Sequence, residues 1–199
     1  MKKAVFLDRD GTLSMEMGYI HEADLPRYAL YPGAGAALAR LGAAGWTRVL
    51  VTNQSGVARG YYPEAQVHQV HARLAELLKA EGGALDALYY CPHHADPGGK
   101  PDTGEDSPGM VAAKPVPSLS IDCDCRKPKP GMGLRAAREL GLDLGASWMV
   151  GDKAAAIERS GADVVVATDA GCLMNIAGCL RRRGSKVKTM HLAEVLGNT

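Results

Sequence analysis

The chain has 199 residues, 46% of them hydrophobic and 23% charged, with a formal net charge of +1. A chain of this length buries roughly two-thirds to three-quarters of its unfolded surface as one domain without disulfide staples. The near-neutral charge excludes an electrostatic case for nucleic acid or an anionic membrane as the main partner.

In chain order, Met1-Lys2-Lys3 reads as neither a signal peptide nor a membrane span, which predicts a cytoplasmic protein. Val5-Phe6-Leu7 is a short apolar strand that runs directly into Asp8-Arg9-Asp10-Gly11-Thr12. Ligands of open α/β sheets bind beyond the carboxyl ends of the strands, so both aspartates fall where chemistry is expected. Ser14 to Arg27 reads as a loop or flap over that end. Pro32-Gly33 opens a helix to about Gly45 with Ala37, Leu38 and Leu41 inward, and Thr47 to Val51 is the second strand.

That strand leads into Thr52-Asn53-Gln54-Ser55-Gly56, a cluster of hydroxyl and amide groups. A helix from about Pro63 to Glu81 carries Val67, Val70, Leu74, Leu77 and Leu78 at helical spacing, with His68 and His71 expected on its solvated face. Ala87 to Tyr90 is a third strand ending in Cys91-Pro92-His93-His94. Residues 95 to 122 are rich in Pro, Gly, Asp and Ser, a composition that builds no core of its own. After Cys123-Asp124-Cys125-Arg126-Lys127-Pro128, a helix runs from Pro130 to about Leu140 with Leu134, Ala137 and Leu140 inward. The strand Ser147 to Val150 then ends in Gly151-Asp152-Lys153. Helix, strand, helix, strand and a last short helix follow, and this alternation predicts an α/β fold with a parallel sheet and helices on both faces.

Paired carboxylates past a strand can hold Mg²⁺ while one of them attacks phosphorus, the cation offsetting the repulsion between two anions. Thr52 adds a hydroxyl donor, Lys127 a compact positive charge and Asp152 a third hard oxygen, each at a strand end or adjoining loop. Five cysteines, an odd number, suit metal binding in a reducing compartment better than a disulfide framework. Cys91, His93, Cys123 and Cys125 form the pairs Cys-x-His and Cys-x-Cys, which supply a closed tetrahedron of three sulfurs and one nitrogen, the mark of structural Zn²⁺.

Asp8-Arg9-Asp10-Gly11-Thr12, Thr52-Asn53, Lys127 and Gly151-Asp152 resemble the four signature segments of the haloacid dehalogenase (HAD) superfamily of phosphohydrolases. Thr52 through Gly60, Tyr89 through His94 and Cys123 through Pro128 are similar, more narrowly, to the D-glycero-D-manno-heptose 1,7-bisphosphate 7-phosphatase family of lipopolysaccharide-precursor synthesis. The resemblance covers residues 1 to about 153 and implies a Rossmann-like HAD phosphatase core with a zinc-stapled loop at 91–125. It implies that Asp8 is the nucleophile, that Asp10 is general acid and then base, and that Thr52 and Lys127 hold the transferring phosphoryl group. It implies Mg²⁺ on Asp8, the Asp10 carbonyl and Asp152, and Zn²⁺ on Cys91, His93, Cys123 and Cys125. Glu16, Met17, Gly18, Tyr19, Asn53, Gln54, Ser55, Arg126 and Lys153 are expected around the sugar. The expected partner is a small sugar phosphate, and a monomer is expected.

From about residue 154 the resemblance changes. Ile157 to Leu196 is similar to the C-terminal end of an iron–sulfur subunit of lactate-utilisation oxidoreductases, and 154–199 is expected to complete the same domain as an atypical βα segment. Only Cys172 and Cys179 remain in that stretch, on one helix face, so no iron–sulfur cluster is expected. Arg181, Arg182 and Arg183 close a helix, where cations suit the dipole. Histidinol-phosphate phosphatase is the alternative of the same class. A catalytically impaired chimeric protein with an intact zinc site is the alternative of another.

Overall fold

Side chains alternate across a strand with a period of two, and along the first strand they divide the interior into two layers. Val5 and Leu7 pack into one buried cluster with Leu38, Leu41, Leu50, Leu74 and Leu78, whereas Ala4 and Phe6 pack into another with Val49, Val51, Met132 and Ala136. Full burial of each of these large aliphatic side chains contributes about 1.5–3 kcal/mol. The first cluster lies under two helices and the second under a third, so both faces of the sheet are covered, as a parallel sheet requires.

The computed structural model describes residues 1–98, 114–151, 164–167 and 188–191. Its strands are β1 (Ala4–Leu7), β2 (Thr47–Asn53), β3 (Ala87–Cys91), β4 (Trp148–Val150), β5 (Val164–Ala167) and β6 (Lys188–His191). They pair side by side in the order β3-β2-β1-β4-β5-β6, every pair parallel. The helices are α1 (Ala34–Ala43), α2 (Glu64–Ala80) and α3 (Gly131–Leu140). The sheet places the carboxyl ends of β1, β2 and β4 together, which sets Asp8 between the ends of its two neighbours.

Several expectations are refined. β2 extends through Thr52 and Asn53, which pair with Tyr90 and Cys91 of β3. The stretch Ser14 to Arg27 contains a short 3-10 helix, Glu22–Arg27. On α3 the buried residues are Met132 and Ala136, with Ala137 and Leu140 packed beside them, and Leu134 is 44% exposed. Two positions along a helix is about 200° of rotation, so a stripe through 132, 136, 137 and 140 turns 134 outward. His71 is also corrected: it lies on the buried face of α2 with Val67, Val70 and Leu74, while His68 is exposed.

The expectations for Asp152, Lys153, the centre of the 95–122 interval, the helices after residue 153, Cys172, Cys179 and Arg181 to Arg183 lie outside the described residues. No helix among the described residues is long and apolar enough to cross a membrane.

Candidate active site

Beyond β1 the chain folds tightly around one carbonyl. The Arg9 oxygen accepts from the main-chain nitrogens of Leu13 and Ser14, both at 3.0 Å. Gly11 makes that reversal with φ 74°, a conformation that costs a side-chain-bearing residue energy but not glycine. The turn holds Asp8 and Asp10 at the end of the sheet. Asp8 stays tied to β4, its main-chain nitrogen donating to the Val150 carbonyl at 2.9 Å. The same strand end brings Gly151 so close that a β-carbon there would lie 3.8 Å from that of Asp8.

The two carboxylates receive different partners. Asp8 Oδ2 pairs with Lys127 Nζ at 2.5 Å, and Asp8 Oδ1 accepts from the Arg9 main-chain nitrogen at 2.8 Å. Lys127 Nζ also donates to the Val51 carbonyl at 2.9 Å. Asn53 holds the Lys127 main chain from both sides: its Oδ1 accepts from the Lys127 nitrogen at 2.9 Å and its Nδ2 donates to the Lys127 carbonyl at 3.0 Å. A segment without helix or strand of its own is thereby fixed to the end of β2. Its Lys127–Pro128 peptide is cis.

Asp10 is gripped instead by Arg9, whose Nε and Nη2 donate to Oδ1 and Oδ2, each at 2.9 Å. Such a fork is the strong geometry for a guanidinium and a carboxylate. Gln54 Nε2 donates to Asp10 Oδ2 at 3.1 Å and to Thr52 Oγ1 at 3.0 Å. Gln54 Oε1 accepts from Arg9 Nη2 at 3.1 Å and from the Tyr62 hydroxyl at 3.4 Å. Arg9 is 2% exposed, and although burial opposes its charge, the Asp10 carboxylate outweighs that and raises its pKa. Burial pushes the Tyr62 hydroxyl well up, so it remains a donor. Burial, then the nearby Arg9 and His68, push His71 down to about 3, leaving it neutral beside this network.

The structure therefore brings Asp8, Asp10, Thr52, Gln54 and Lys127 into one connected cluster. Among the flap residues, the Glu16 carboxylate accepts from the Gly18 nitrogen at 2.9 Å, Met17 packs against the core and Tyr19 is buried. The Tyr19 ring meets Tyr61 edge-on at 4.7 Å and lies 6.5 Å from Tyr62, which anchors the flap to the loop after β2. Ser55 is buried in that same loop. Arg126 Nη1 donates to the His93 carbonyl at 3.1 Å. Arg9, Tyr62 and His71 were not among the candidates from sequence. Arg9 carried a signal, a charged residue between the two aspartates at the end of a buried strand.

The ligand atoms of Cys91, His93, Cys123 and Cys125 all lie within 4.8 Å of one another. The sulfurs of Cys91, Cys123 and Cys125 are 3.1 to 3.4 Å apart, and His93 Nδ1 is 3.3 Å from Cys125 Sγ. Burial pushes the Cys91 thiol up, so a bound cation is the natural means of ionising it. Three soft sulfurs and one imidazole nitrogen fit tetrahedral zinc. The cluster adjoins the cleft: the Gln54 nitrogen donates to the Cys91 carbonyl at 2.7 Å, and Cys125 stands two residues before Lys127. In the cleft the available donors, the Asp8 carboxylate and main-chain carbonyls of the Asp8–Thr12 turn, are hard oxygens, the chemistry magnesium takes.

The HAD-hydrolase-like family model matches residues 124–185, running across Lys153. D-glycero-β-D-manno-heptose-1,7-bisphosphate 7-phosphatase of Pasteurella multocida (strain Pm70) is 46% identical over 153 residues, covering 77% of this chain and 72% of its own. D-glycero-D-manno-heptose-1,7-bisphosphate 7-phosphatase of Thermosynechococcus vestitus is 45% identical over 172 residues, covering 86% and 76%. The crystal structure of D,D-heptose 1,7-bisphosphate phosphatase from B. bronchiseptica, complexed with magnesium and phosphate, matches with a TM-score of 0.67 at 30% identity over 98% of this chain and 97% of its own.

Proposed function

Since the chain belongs to the D-glycero-D-manno-heptose 1,7-bisphosphate 7-phosphatase family of HAD-like hydrolases, we propose that it is a phosphoric monoester hydrolase removing the 7-phosphate of that sugar bisphosphate. The observation that carries this reading is the Asp8–Lys127 pair set beside the Asp10–Gln54–Thr52 network at the ends of β1 and β2. Asp8 attacks phosphorus through a carboxylate oxygen and becomes an aspartyl-phosphate. Lys127 balances the charge that gathers as an anion approaches an anion, and the Thr52 hydroxyl donates to a phosphoryl oxygen. Asp10 gives a proton to the leaving sugar oxygen and then takes one from the water that cleaves the aspartyl-phosphate.

Asp8, the Asp10 carbonyl and Asp152 would hold Mg²⁺. When bound, that ion supplies Lewis-acid polarisation of the phosphoryl oxygens and neutralises their charge. Cys91, His93, Cys123 and Cys125 would hold a structural Zn²⁺ that fixes the segment leading to Lys127. Glu16 to Tyr19, Asn53, Ser55, Arg126 and Lys153 are assigned to the rim that meets the sugar. The segment 154–199 completes the same domain, a reading supported by the parallel pairing of β5 with β4 and β6 with β5.

The test is phosphate release in Mg²⁺ from heptose 1,7-bisphosphate, histidinol phosphate and an aryl phosphate. The heptose ester is expected to give the highest kcat/KM. Preference for histidinol phosphate would overturn the substrate, and no release from any of the three by folded, zinc-loaded protein would overturn the enzyme.

A further inference from the structure

Gln54 fills all four of its hydrogen-bonding positions within the protein. Its side-chain amide has two hydrogens and two acceptor lone pairs. The hydrogens go to Asp10 Oδ2 and Thr52 Oγ1, and the lone pairs face Arg9 Nη2 and Tyr62 Oη. The chemistry fixes this orientation, because a flipped amide would set oxygen against the Asp10 carboxylate and NH₂ against the guanidinium. The residue is 4% exposed, so nothing in the amide is left for a substrate.

We propose, resting on the phosphatase reading above, that Gln54 is a positioning residue that orients the general acid and the phosphoryl donor together and makes no contact with the sugar. Oδ2 of Asp10 accepts two hydrogen bonds, from Arg9 Nη2 and Gln54 Nε2, which fill its lone pairs. Oδ1 accepts one, from Arg9 Nε, and is therefore the oxygen that carries the transferred proton. On the other side, Thr52 Oγ1 accepts from Gln54, so its own hydrogen is turned away from the amide and is free to meet a phosphoryl oxygen over Asp8.

In the first half-reaction the Asp8 oxygen–phosphorus bond forms and the phosphorus–sugar oxygen bond breaks. The bond's electron pair goes to the sugar oxygen, which takes the proton from Asp10 Oδ1. In the second, a water oxygen bonds to phosphorus, the Asp8 oxygen leaves with its electron pair, and the water proton returns to Asp10 Oδ1. Gln54 exchanges no proton in either half. It holds one carboxylate rotamer and one hydroxyl rotamer through both.

The experiment compares wild type, Gln54→Met and Gln54→Glu on the heptose bisphosphate and on 4-nitrophenyl phosphate, whose leaving group needs little protonation. Gln54→Met keeps the volume and removes the donors. It is expected to lower kcat on the heptose ester about 10- to 100-fold with KM changed by less than about threefold, and to lose less on the aryl ester. Gln54→Glu sets an acceptor against Asp10 and is expected to move the pH limb of kcat/KM upward by about one unit or more. If Gln54→Glu does not fold, the Met variant decides the matter alone.

A raised KM with kcat retained would overturn the proposal in favour of a sugar contact. Equal losses on both esters with an unmoved pH limb would overturn it in favour of simple packing. Activity of wild type on the aryl ester alone would remove the heptose assignment and leave the Gln54–Thr52 half of the proposal to be read on that ester, where Gln54→Met is expected to lower kcat with KM nearly unchanged and a raised KM with kcat retained would overturn it. No release by wild type from either ester would overturn both readings.

Discussion

The cleft and the cysteine–histidine cluster come within two residues of each other at Cys125 and Lys127, yet they are built on opposite chemistry. In the cleft the charges are already answered by protein: Lys127 lies on Asp8, and Arg9 forks onto Asp10. In the cluster the ligand atoms of three cysteines and a histidine lie within 4.8 Å of one another, an arrangement that fits a bound cation. The first region is therefore expected to lose chemistry without losing the fold when one group is changed. The second is expected to lose the fold first and chemistry as a consequence.

Asp8→Asn should break the comparison most sharply. It removes the carboxylate proposed to attack while keeping the side-chain shape, so kcat is expected to fall about 10³-fold or more, with zinc content and thermal midpoint near those of wild type. Steady-state kinetics beside metal analysis check it, and retained turnover would remove Asp8 as nucleophile. Cys123→Ala is the reciprocal change. At such sites metal-binding free energy is folding free energy, so loss of zinc should lower the midpoint by about 10 °C or more. Chelation that leaves both structure and midpoint unchanged would contradict a structural zinc.

Gly60 joins the two regions and sharpens the contrast further. It has φ 72°, and a β-carbon there would collide with the Lys114 carbonyl oxygen, where the return of the cluster-bearing loop passes over the loop after β2. Gly60→Ala is expected to destabilise by about 1–3 kcal/mol, read from denaturant midpoints, with zinc still bound at full stoichiometry.

The smallest effect belongs to His71, which lies against Tyr90 and near Arg9 and His68. Unfolded, it takes a proton near its ordinary value of 6.5, but folded only near 3, so between these values the unfolded chain binds more protons and stability falls as pH falls. The contribution from pH 6.5 down to 5 is about 1–2 kcal/mol. His71→Phe should reduce the pH dependence of the thermal midpoint over that window, and an unchanged slope would show that His71 is not the group responsible.

Much of the cleft was legible because its groups sit where strands end. Asp8, Asp10 and Thr52 each announce a charge or donor at the carboxyl edge of a parallel sheet, and the sheet order brings those edges together, whereas Lys127 follows no strand and is marked only by the Cys123-Asp124-Cys125-Arg126-Lys127-Pro128 run. The pairing of Asn53 with the Lys127 main chain was not legible, since it joins residues 74 apart in sequence through tertiary placement alone. The saturation of Gln54 was hidden for the same reason: a sequence shows an amide but not which atoms face it. His71 is different, because its signal was present. Positions 67, 70, 71, 74 and 78 form one helical stripe, and only the polarity of its imidazole points His71 to the solvated side. On α3 the periodicity was right but its phase was shifted, since Met132 and Ala136 compete with Leu134 for the inward face.

In the proposed reaction phosphate leaves by way of a covalent intermediate on Asp8. The stereochemical course at phosphorus, followed with a chirally labelled 7-phosphorothioate ester in isotopically labelled water, tests it most directly. Two successive in-line displacements, first by Asp8 and then by water, predict net retention of configuration. Inversion would mean that water attacks the ester in a single step and would contradict Asp8 as nucleophile.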